Sequence, residues 1–323
     1  MKALALLSGG LDGLLAARLM ADQGIEVEAV HFTTGFLRAS RTRAAAASDF
    51  PRAEIADVAR EYFERVVVAP KYGYGCAMAP CIDCRIFMLR KADAIARDKE
   101  AGIVITGEVL GQSRMSQRRE SLDRIEHESG LAGRLLRPLS ARHLVPTAAE
   151  SDGRIARDRL ESIHGRSRAA QLELARRFGI PQPRFTGGGC CLLSDAGFSR
   201  RLKDHLDHEG PAWPGAEPLA RLRLGRHFRL SHALKVVVAR NDDDGLELAA
   251  VAGESWVCRC VGGGALTVVE GSAREEGLSR AAALAARYSA GRDLPLAEVV
   301  CRRGPEERCV AVVPERDPGR FLI

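Results

Sequence analysis

The sequence predicts an α/β domain built on a parallel sheet, followed by a smaller α+β domain. Three observations carry that expectation. From Met1 to His208, short apolar runs alternate with amphipathic stretches of helical spacing, the pattern of strands and covering helices in a parallel sheet. At Glu209–Pro218 (EGPAWPGAEP), three Pro and two Gly fall within ten residues, which is a linker composition. Beyond that point the apolar runs become short and strand-like. The expected division is 1–208, a linker at 209–217, and a second domain at 218–323.

The elements follow in order. Ala3–Ser8 reads as a short buried strand, Gly9-Gly10 as a turn, and Asp12–Asp22 as an amphipathic helix that Gly24 closes. Val27–Phe32 is a second strand, 53–63 a helical stretch preceded by Ala44–Ser48, and Val66–Val68 a third strand. Cys84–Lys99 is helical by pattern, Ile103–Thr106 a fourth strand, Leu160–Phe178 a basic helix stopped by Gly179, and Phe198–His208 a short helix. In the second domain, Arg221–Leu230, Lys235–Arg240, Leu246–Val251, Trp256–Cys260 and Ala265–Val269 read as strands. Ser279–Ala290 reads as its one helix, ahead of strands at Val299–Cys301 and Cys309–Val313.

Composition narrows the class. With 323 residues, 46% hydrophobic and 28% charged, the chain has material for a real core and is not a disordered protein. No run of about 18 apolar residues exists, so no membrane span is expected. Met1–Ser8 lacks the length and cleavage site of a signal peptide. Nine Cys, six of them in close pairs (Cys81/Cys84, Cys190/Cys191 and Cys258/Cys260), then suggest reduced thiols or metal ligands rather than a disulfide framework, and a cytoplasmic protein. The net charge of +6 is carried almost wholly by Arg, since only six of the 48 basic residues are Lys. Arg matches phosphate forks, although an Ala- and Arg-rich chain also follows from base composition alone. Arg114–Arg177 holds fourteen Arg against nine acidic residues, a local excess that suits a basic surface.

Three groups of residues carry chemistry. Ser8-Gly9-Gly10-Leu11-Asp12-Gly13 lies between a strand and a helix, where glycines let backbone N–H groups approach an anion and the helix start adds positive potential. Ser8 can donate to a phosphate, and Asp12 can cap the helix or help hold Mg²⁺. An ordinary strand–helix turn would also use these glycines. Cys81-Ile82-Asp83-Cys84 follows Pro80 at a helix start, a setting that favours thiolates for a nucleophile, a redox pair or metal ligands. Gly187-Gly188-Gly189-Cys190-Cys191 lies about a hundred residues on. Three thiolates from the CxxC pair and one distal Cys would leave one iron of a [4Fe–4S] cluster open. A fourth, from Cys76 or the second of the Cys190-Cys191 pair, would argue for zinc. Cys258, Cys260, Cys301 and Cys309 read as small hydrophobes on strands.

Ser8–Gly13 resembles the PP-loop (SGGxDS) of the N-type ATP pyrophosphatases. Together with Pro80–Cys84, Thr106-Gly107-Glu108 and Gly188-Gly189-Cys191-Leu192-Leu193, it is similar to tRNA thiolation enzymes. The group it resembles comprises relatives of 4-thiouridine synthetase and tRNA 2-thiouridylase in which an NFACT-R-like RNA-binding domain follows the PP-loop domain. Gly107–Gln112, Met115–Arg119 and Arg226-His227-Phe228-Arg229 are also similar to that group. The resemblance implies an adenine nucleotide α-hydrolase-like fold and ATP with Mg²⁺ as cofactors. The nucleotide would bind at Ser8, Gly9, Gly10, Leu11, Asp12, Gly13, His31, Phe32, Thr106 and Gly107. His31 is expected beside the adenine, since open α/β sheets bind ligands at the crevice where its strand ends.

The implied reaction is attack of a uridine carbonyl oxygen on the α-phosphate of ATP, release of pyrophosphate, and displacement of AMP by sulfur, most readily giving 4-thiouridine. Catalysis would fall to Asp12, Cys84 and Cys191. A [4Fe–4S] cluster would sit on Cys81, Cys84 and Cys191, the cluster-free version being a persulfide passed between Cys191 and Cys84. Partners would be tRNA and an external sulfur donor, with a homodimer compatible. RNA contacts are expected from Arg118, Arg119, Arg166, Arg168, Arg226, His227 and Arg229. Trp213 and Trp256 are readable as base-stacking or core residues. Gly13 stands where the PP-loop has Ser, removing a hydroxyl whose bond to phosphate is worth about 1.5–3 kcal/mol. The rival readings are 2-thiouridylation or small-molecule thiolation on the same scaffold, and an RNA-binding protein whose PP-loop has decayed.

Overall fold

Strand β1 (Lys2–Leu6) is buried along its centre, and the rest of the first unit is arranged around it. The computed structural model describes residues 1–37, 53–180 and 191–323, which fall into two units, Met1–Asp195 and Ala196–Ile323. In the first unit, β1 pairs in parallel with β2 (Glu26–Thr33) on one side and β4 (Ile103–Ile105) on the other. β3 (Glu54–Asp57) lies beyond β2, and β5 (Leu135–Leu136) beyond β4, so the order is β3-β2-β1-β4-β5.

Parallel strands need crossovers, and helices supply them: α1 (Leu11–Ala21), α2 (Ala59–Tyr62), α3 (Cys81–Asp98), α4 (Arg119–Ser129), α5 (Ala148–Ser151) and α6 (Ala169–Arg177). Ala3, Ala5, Ile103 and Ile105 pack with Leu15, Ala16 and Leu19 of α1 and with Leu174 and Ala175 of α6. Leu4 and Val104 alternate to the opposite face and are also fully buried. A strand covered on both faces loses the polar alternation of a surface strand, which is why Ala3–Leu7 reads as one apolar run.

Several expected elements differ. Residues 54–57 form β3 because they pair with Val30–Thr33, and the Asp57 carboxylate accepts from the Ala59 N–H, so the helix begins only there. Val66 and Val67 belong to a π-helical turn, Phe63–Val67, that continues α2. Both are buried, and a short apolar run does not distinguish a strand from a buried helical turn. Only 169–177 of the expected helix at 160–178 is helical. Ahead of it, Ile163 N–H donates to Leu139, His164 bridges Leu110, and Gly165 takes a left-handed φ of 79°. Ala44–Ser48 lies outside the described residues.

The second unit begins with α7 (Ala196–Glu209), so the division falls before that helix rather than after it. Asp204 of α7 explains this, holding Arg229 through two hydrogen bonds of 3.0 and 2.6 Å. After α8 (Ala216–Arg221) comes an antiparallel sheet of order β11-β10-β8-β9-β7-β6. Its strands are β6 (Arg226–Ser231), β7 (Leu234–Val238), β8 (Trp256–Cys260), β9 (Thr267–Gly271), β10 (Ala297–Arg303) and β11 (Glu306–Val312). Helices α9 (Asp242–Ala250) and α10 (Glu275–Arg287) complete it.

Leu246–Val251, expected as a strand, lies mostly within α9. The side chain of Asn241 accepts from the Asp244 N–H and starts that helix, followed by three Asp in its first turn. The expected strand at 221–230 begins only at Arg226, since Arg221 ends α8. Cys258 and Cys301 face one another across β8 and β10 inside the core that α10 covers. Their mutual hydrogen bond, reinforced by burial, raises the pKa of the Cys258 thiol and holds it protonated. Cys260 is buried as well, whereas Cys309 is exposed. Trp256 is a core residue, with Arg303 and Arg308 over its ring at 4.7 and 5.3 Å from the centroid.

His227, expected among the RNA contacts, is withdrawn from solvent: it is 1% exposed, and its Nε2–H donates to the Leu224 carbonyl. Desolvation, reinforced by the Lys235 charge, holds its pKa well below the 6.5 of a free imidazole. Unfolding therefore lets His227 take up a proton that the fold refuses. Its contribution to stability is complete above about pH 6.5 and is lost as pH falls below that value. His205, lowered by the same cause, acts in the same direction. Denaturant unfolding of the second unit should accordingly show a midpoint that drops between pH 7.5 and 5.5, and His227→Asn should flatten the drop. An unchanged slope would contradict the neutral buried imidazole.

Candidate active site

The order of the first sheet reverses between β1 and β4, and open sheets bind ligands at the crevice outside the strand ends at such a point. Two loops enter it. Ser8–Gly10 leaves β1, with Gly9 at a φ of 70° and Gly10 as the N-cap of α1, making no side-chain cap. The first amides of α1 are thus not used up by a capping side chain. Thr106-Gly107 leaves β4 and lies on the start of α1. A Cβ at Gly107 would fall 2.3 Å from the carbonyl carbon of Asp12 and 2.3 Å from the nitrogen of Gly13. Thr106 is buried and donates its hydroxyl to Glu108 at 3.2 Å. At Gly13, a Cβ would meet the Leu6 carbonyl oxygen at 3.3 Å, so the serine usual in a PP-loop would be a tight fit here.

Asp12 projects from the first turn of α1. Its Oδ2 accepts from Gln112 Nε2 at 2.8 Å and its Oδ1 from Arg168 at 2.9 Å. Gln112 Oε1 accepts in turn from Gln171 Nε2 at 2.9 Å. His31 is buried at the end of β2, with Nδ1 2.7 Å from the Leu7 carbonyl. A carbonyl only accepts, so Nδ1 carries the proton and Nε2 is an acceptor. Among the described residues that Nε2 has no hydrogen-bond partner. Phe32 is buried beside it in β2. A cradle that excludes any Cβ, uncapped helix amides, a carboxylate at the helix start and an orphaned buried acceptor together fit a nucleotide with its cation.

Behind the crevice lies a charge network that sequence reasoning missed. Glu108 is buried, with Oε2 accepting from Arg137 Nε at 3.0 Å and Oε1 3.5 Å from Arg85 Nε. The second contact is a charge pairing without hydrogen-bond geometry, and Oε1 remains otherwise unpartnered. Arg137 also donates to Glu126 at 2.7 Å and to the Leu122 carbonyl at 3.1 Å. Charge pairs at sequence separations of 11 to 29 residues leave no local signature, and neither does Gln171, a lone polar residue in a helix.

The thiols lie on other elements of the same unit. Cys81 opens α3, Pro80 is its N-cap, and the Cys84 N–H donates to the Pro80 carbonyl at 2.8 Å. Asp83 accepts at 3.0 Å from the backbone N–H of both Lys71 and Tyr72. Burial raises its pKa against the pull of those bonds. Cys191 bridges Leu37, and the next residue donates to the Phe36 carbonyl at 2.8 Å. The Leu193 carbonyl accepts from the Met78 N–H at 3.1 Å, and that of Ser194 from the Cys76 thiol at 3.7 Å. The segment after Cys191 is therefore bonded to the loop that leads into Cys81. Cys81, Cys84 and Cys191 are half-buried. Among the described residues, no three His, Cys, Asp or Glu side chains form a group that could hold a metal ion. Gly187–Cys190 lie outside the described residues.

The arginines separate by role. Arg118 and Arg166 are exposed. Arg119 donates to the His143 carbonyl. Arg168, also expected on RNA, pairs with Asp12. In the second unit Arg226 is exposed, 5.3 Å from the Tyr288 ring centroid, while Arg229 is bound to Asp204 and largely covered.

Gly107→Ala should destabilise the protein by about 1–3 kcal/mol or more, because α1 must shift to admit the methyl. Gly102→Ala, with nothing within 4 Å of its Cβ, is the control and should be close to neutral in denaturant unfolding. Equal effects would refute the close approach.

Comparison with known proteins agrees with this division. Residues 1–144 match the family described as thiamine biosynthesis protein (ThiI), and residues 225–317 match the NFACT protein RNA binding domain. A probable tRNA sulfurtransferase of Streptococcus equi subsp. equi is 33% identical over 136 residues, 38% of this chain and 31% of the relative. One from Thermococcus kodakarensis is 32% identical over 152 residues, 43% of this chain and 36% of the relative. The match thus spans about a third of the length of these relatives. Among solved structures, a predicted subunit of a tRNA methyltransferase from Methanocaldococcus jannaschii is loosely similar. Its TM-score is 0.32 at 17% identity, over 44% of this chain and 73% of that one. No helix among the described residues is long and apolar enough to cross a membrane. The chain therefore carries, in order, a domain matching the ThiI family and a domain matching the NFACT RNA-binding family.

Proposed function

We propose that the chain is an ATP-dependent tRNA sulfurtransferase that adenylates a uridine carbonyl oxygen and exchanges it for sulfur, with 4-thiouridine as the product. The observation that carries this reading is the crevice at the β1–β4 reversal, where the PP-loop, Asp12 and Gly107 meet in the domain that matches the ThiI family. ATP would lie with its phosphates against the Ser8–Gly10 amides and the start of α1. These donors are fixed before the reaction and stabilise charge as it develops on the phosphates. Asp12 would hold Mg²⁺ on the phosphate chain, and the His31 Nε2 acceptor suits a donor on the adenosine.

The uridine oxygen attacks the α-phosphorus and pyrophosphate leaves. Sulfur from an external donor then adds at the activated ring carbon, and AMP departs with the former carbonyl oxygen. Cys84 and Cys191 are assigned to sulfur delivery, supported by the bonding of the 191–194 segment to the loop before Cys81. A [4Fe–4S] cluster on Cys81, Cys84 and Cys191 would supply a sulfur-binding metal, but the described thiols do not form a metal-holding group, and no step here depends on it. RNA capture is assigned to the second unit, which matches an RNA-binding family and exposes Arg226, with Arg118, Arg119 and Arg166 contributing from the first.

Pyrophosphate release and nucleoside analysis of digested tRNA test the assignment. Asp12→Asn should lower pyrophosphate release about 10²-fold or more while tRNA affinity stays within about twofold. Cys84→Ser and Cys191→Ser should abolish thionucleoside formation and leave pyrophosphate release intact. The absence of pyrophosphate from the wild-type protein, with tRNA still bound, would favour a decayed loop. A 2-thiouridine product would move the reading to the other ring position.

A further inference from the structure

The arginine on Asp12 is the wrong partner for a carboxylate that is to hold a cation. Arg168 lies 2.9 Å from Asp12 Oδ1 and neutralises the charge a divalent ion would seek. Oδ2 is taken by Gln112, and that bond is directional. A carboxylate only accepts, so Gln112 must turn its amide nitrogen to Asp12 and its oxygen to Gln171. Gln171 is fully buried in the first turn of α6 and Arg168 is the N-cap residue of that helix, so one helix start supplies both the cation on Oδ1 and the brace behind Oδ2.

The two contacts differ in exposure. The brace is buried at Gln171, whereas Arg168 is 39% exposed in its side chain. Its backbone is held nearby, since Gly165 N–H donates to the Leu110 carbonyl at 2.7 Å and His164 bridges Leu110. A long side chain on an anchored backbone can exchange partners without moving the fold. A guanidinium suits the oxygens of a phosphate at least as well as a carboxylate.

We propose that Arg168 is a latch on the nucleotide site. Without nucleotide it occupies Asp12. When a polyphosphate enters, its guanidinium passes to the phosphate oxygens and releases Asp12 Oδ1 to the accompanying cation. Arg168 thereby belongs to the nucleotide site rather than to the RNA surface, and cation binding at Asp12 becomes conditional on phosphate. This rests on the nucleotide reading of the crevice.

The test measures two probes separately on the full chain. Binding of Mn²⁺ alone is followed by electron paramagnetic resonance, and binding of ATP in EDTA by equilibrium dialysis. In Arg168→Gln, Mn²⁺ should bind several-fold more tightly, because Asp12 is unmasked, while metal-free ATP should bind at least tenfold more weakly. Arg168→Lys should fall between this variant and wild type in both, and Asp12→Asn should abolish the Mn²⁺ gain. A general loosening of the fold would weaken both probes together, so that result overturns the latch, as would no change in either. The manganese measurement needs no nucleotide. If the wild-type protein binds no ATP under any condition, the proposed function fails, while tighter Mn²⁺ binding in Arg168→Gln would still show the masking of Asp12.

Discussion

The crevice depends on one close approach. The backbone at Gly107 is pressed against the Asp12–Gly13 peptide so tightly that no side chain fits between them. The nucleotide site proposed for the first unit follows from that contact. It joins the loop after β4 to the start of α1, and so sets where the helix amides and the Asp12 carboxylate point. The strand order makes the contact available, because only neighbouring strands can send their following loops to one place. Buried Ala3 and Ala5 on β1 and buried Ala16 and Ala17 on α1 let helix and sheet come together closely enough for it.

Arginine was the most visible feature of the composition, and the least direct guide to function. A basic stretch suggests a surface for a polyanion, yet many of these guanidiniums are used within the fold. Arg137 neutralises a buried carboxylate, Arg157 pairs with the buried Glu150 that caps α5, and Arg229 fastens α7 to the second sheet. Such pairs contribute little net stability against an apolar alternative, since desolvation offsets attraction, but removing one partner strands the other charge. What remains for an external partner is a smaller set, with Arg118, Arg166 and Arg226 the exposed members among those expected on RNA.

Much of the fold was legible where the signal is local. The parallel sheet, α1, α3 and most strands of the second unit follow from apolar runs and their spacing. Two of the failures are those where a distant partner decides. Glu54–Asp57 is a strand because β2 lies beside it, and 160–168 is irregular because it bonds to segments 23 to 55 residues earlier in the chain. At α9 the signal was local and present, in the Asn241 cap and the three Asp that follow. The same division holds at the site. The PP-loop and the CxxC pair are contiguous and could be read, whereas Gln112, Gln171 and Arg168 meet Asp12 across 100 residues or more of chain, or meet one another across 59.

Asp83 sits between the two thiols of α3, and its role is mechanical. By accepting from the Lys71 and Tyr72 amides it ties the preceding loop to the helix start. A helix turns by about 100° per residue. Lengthening or shortening the chain between Cys81 and Cys84 by one residue would thus rotate a thiol away and at the same time swing the carboxylate off its two amides. The spacing of the pair and the shape of the loop are one mechanical part, so a change that re-registers the thiols also frees the loop, and neither can drift alone.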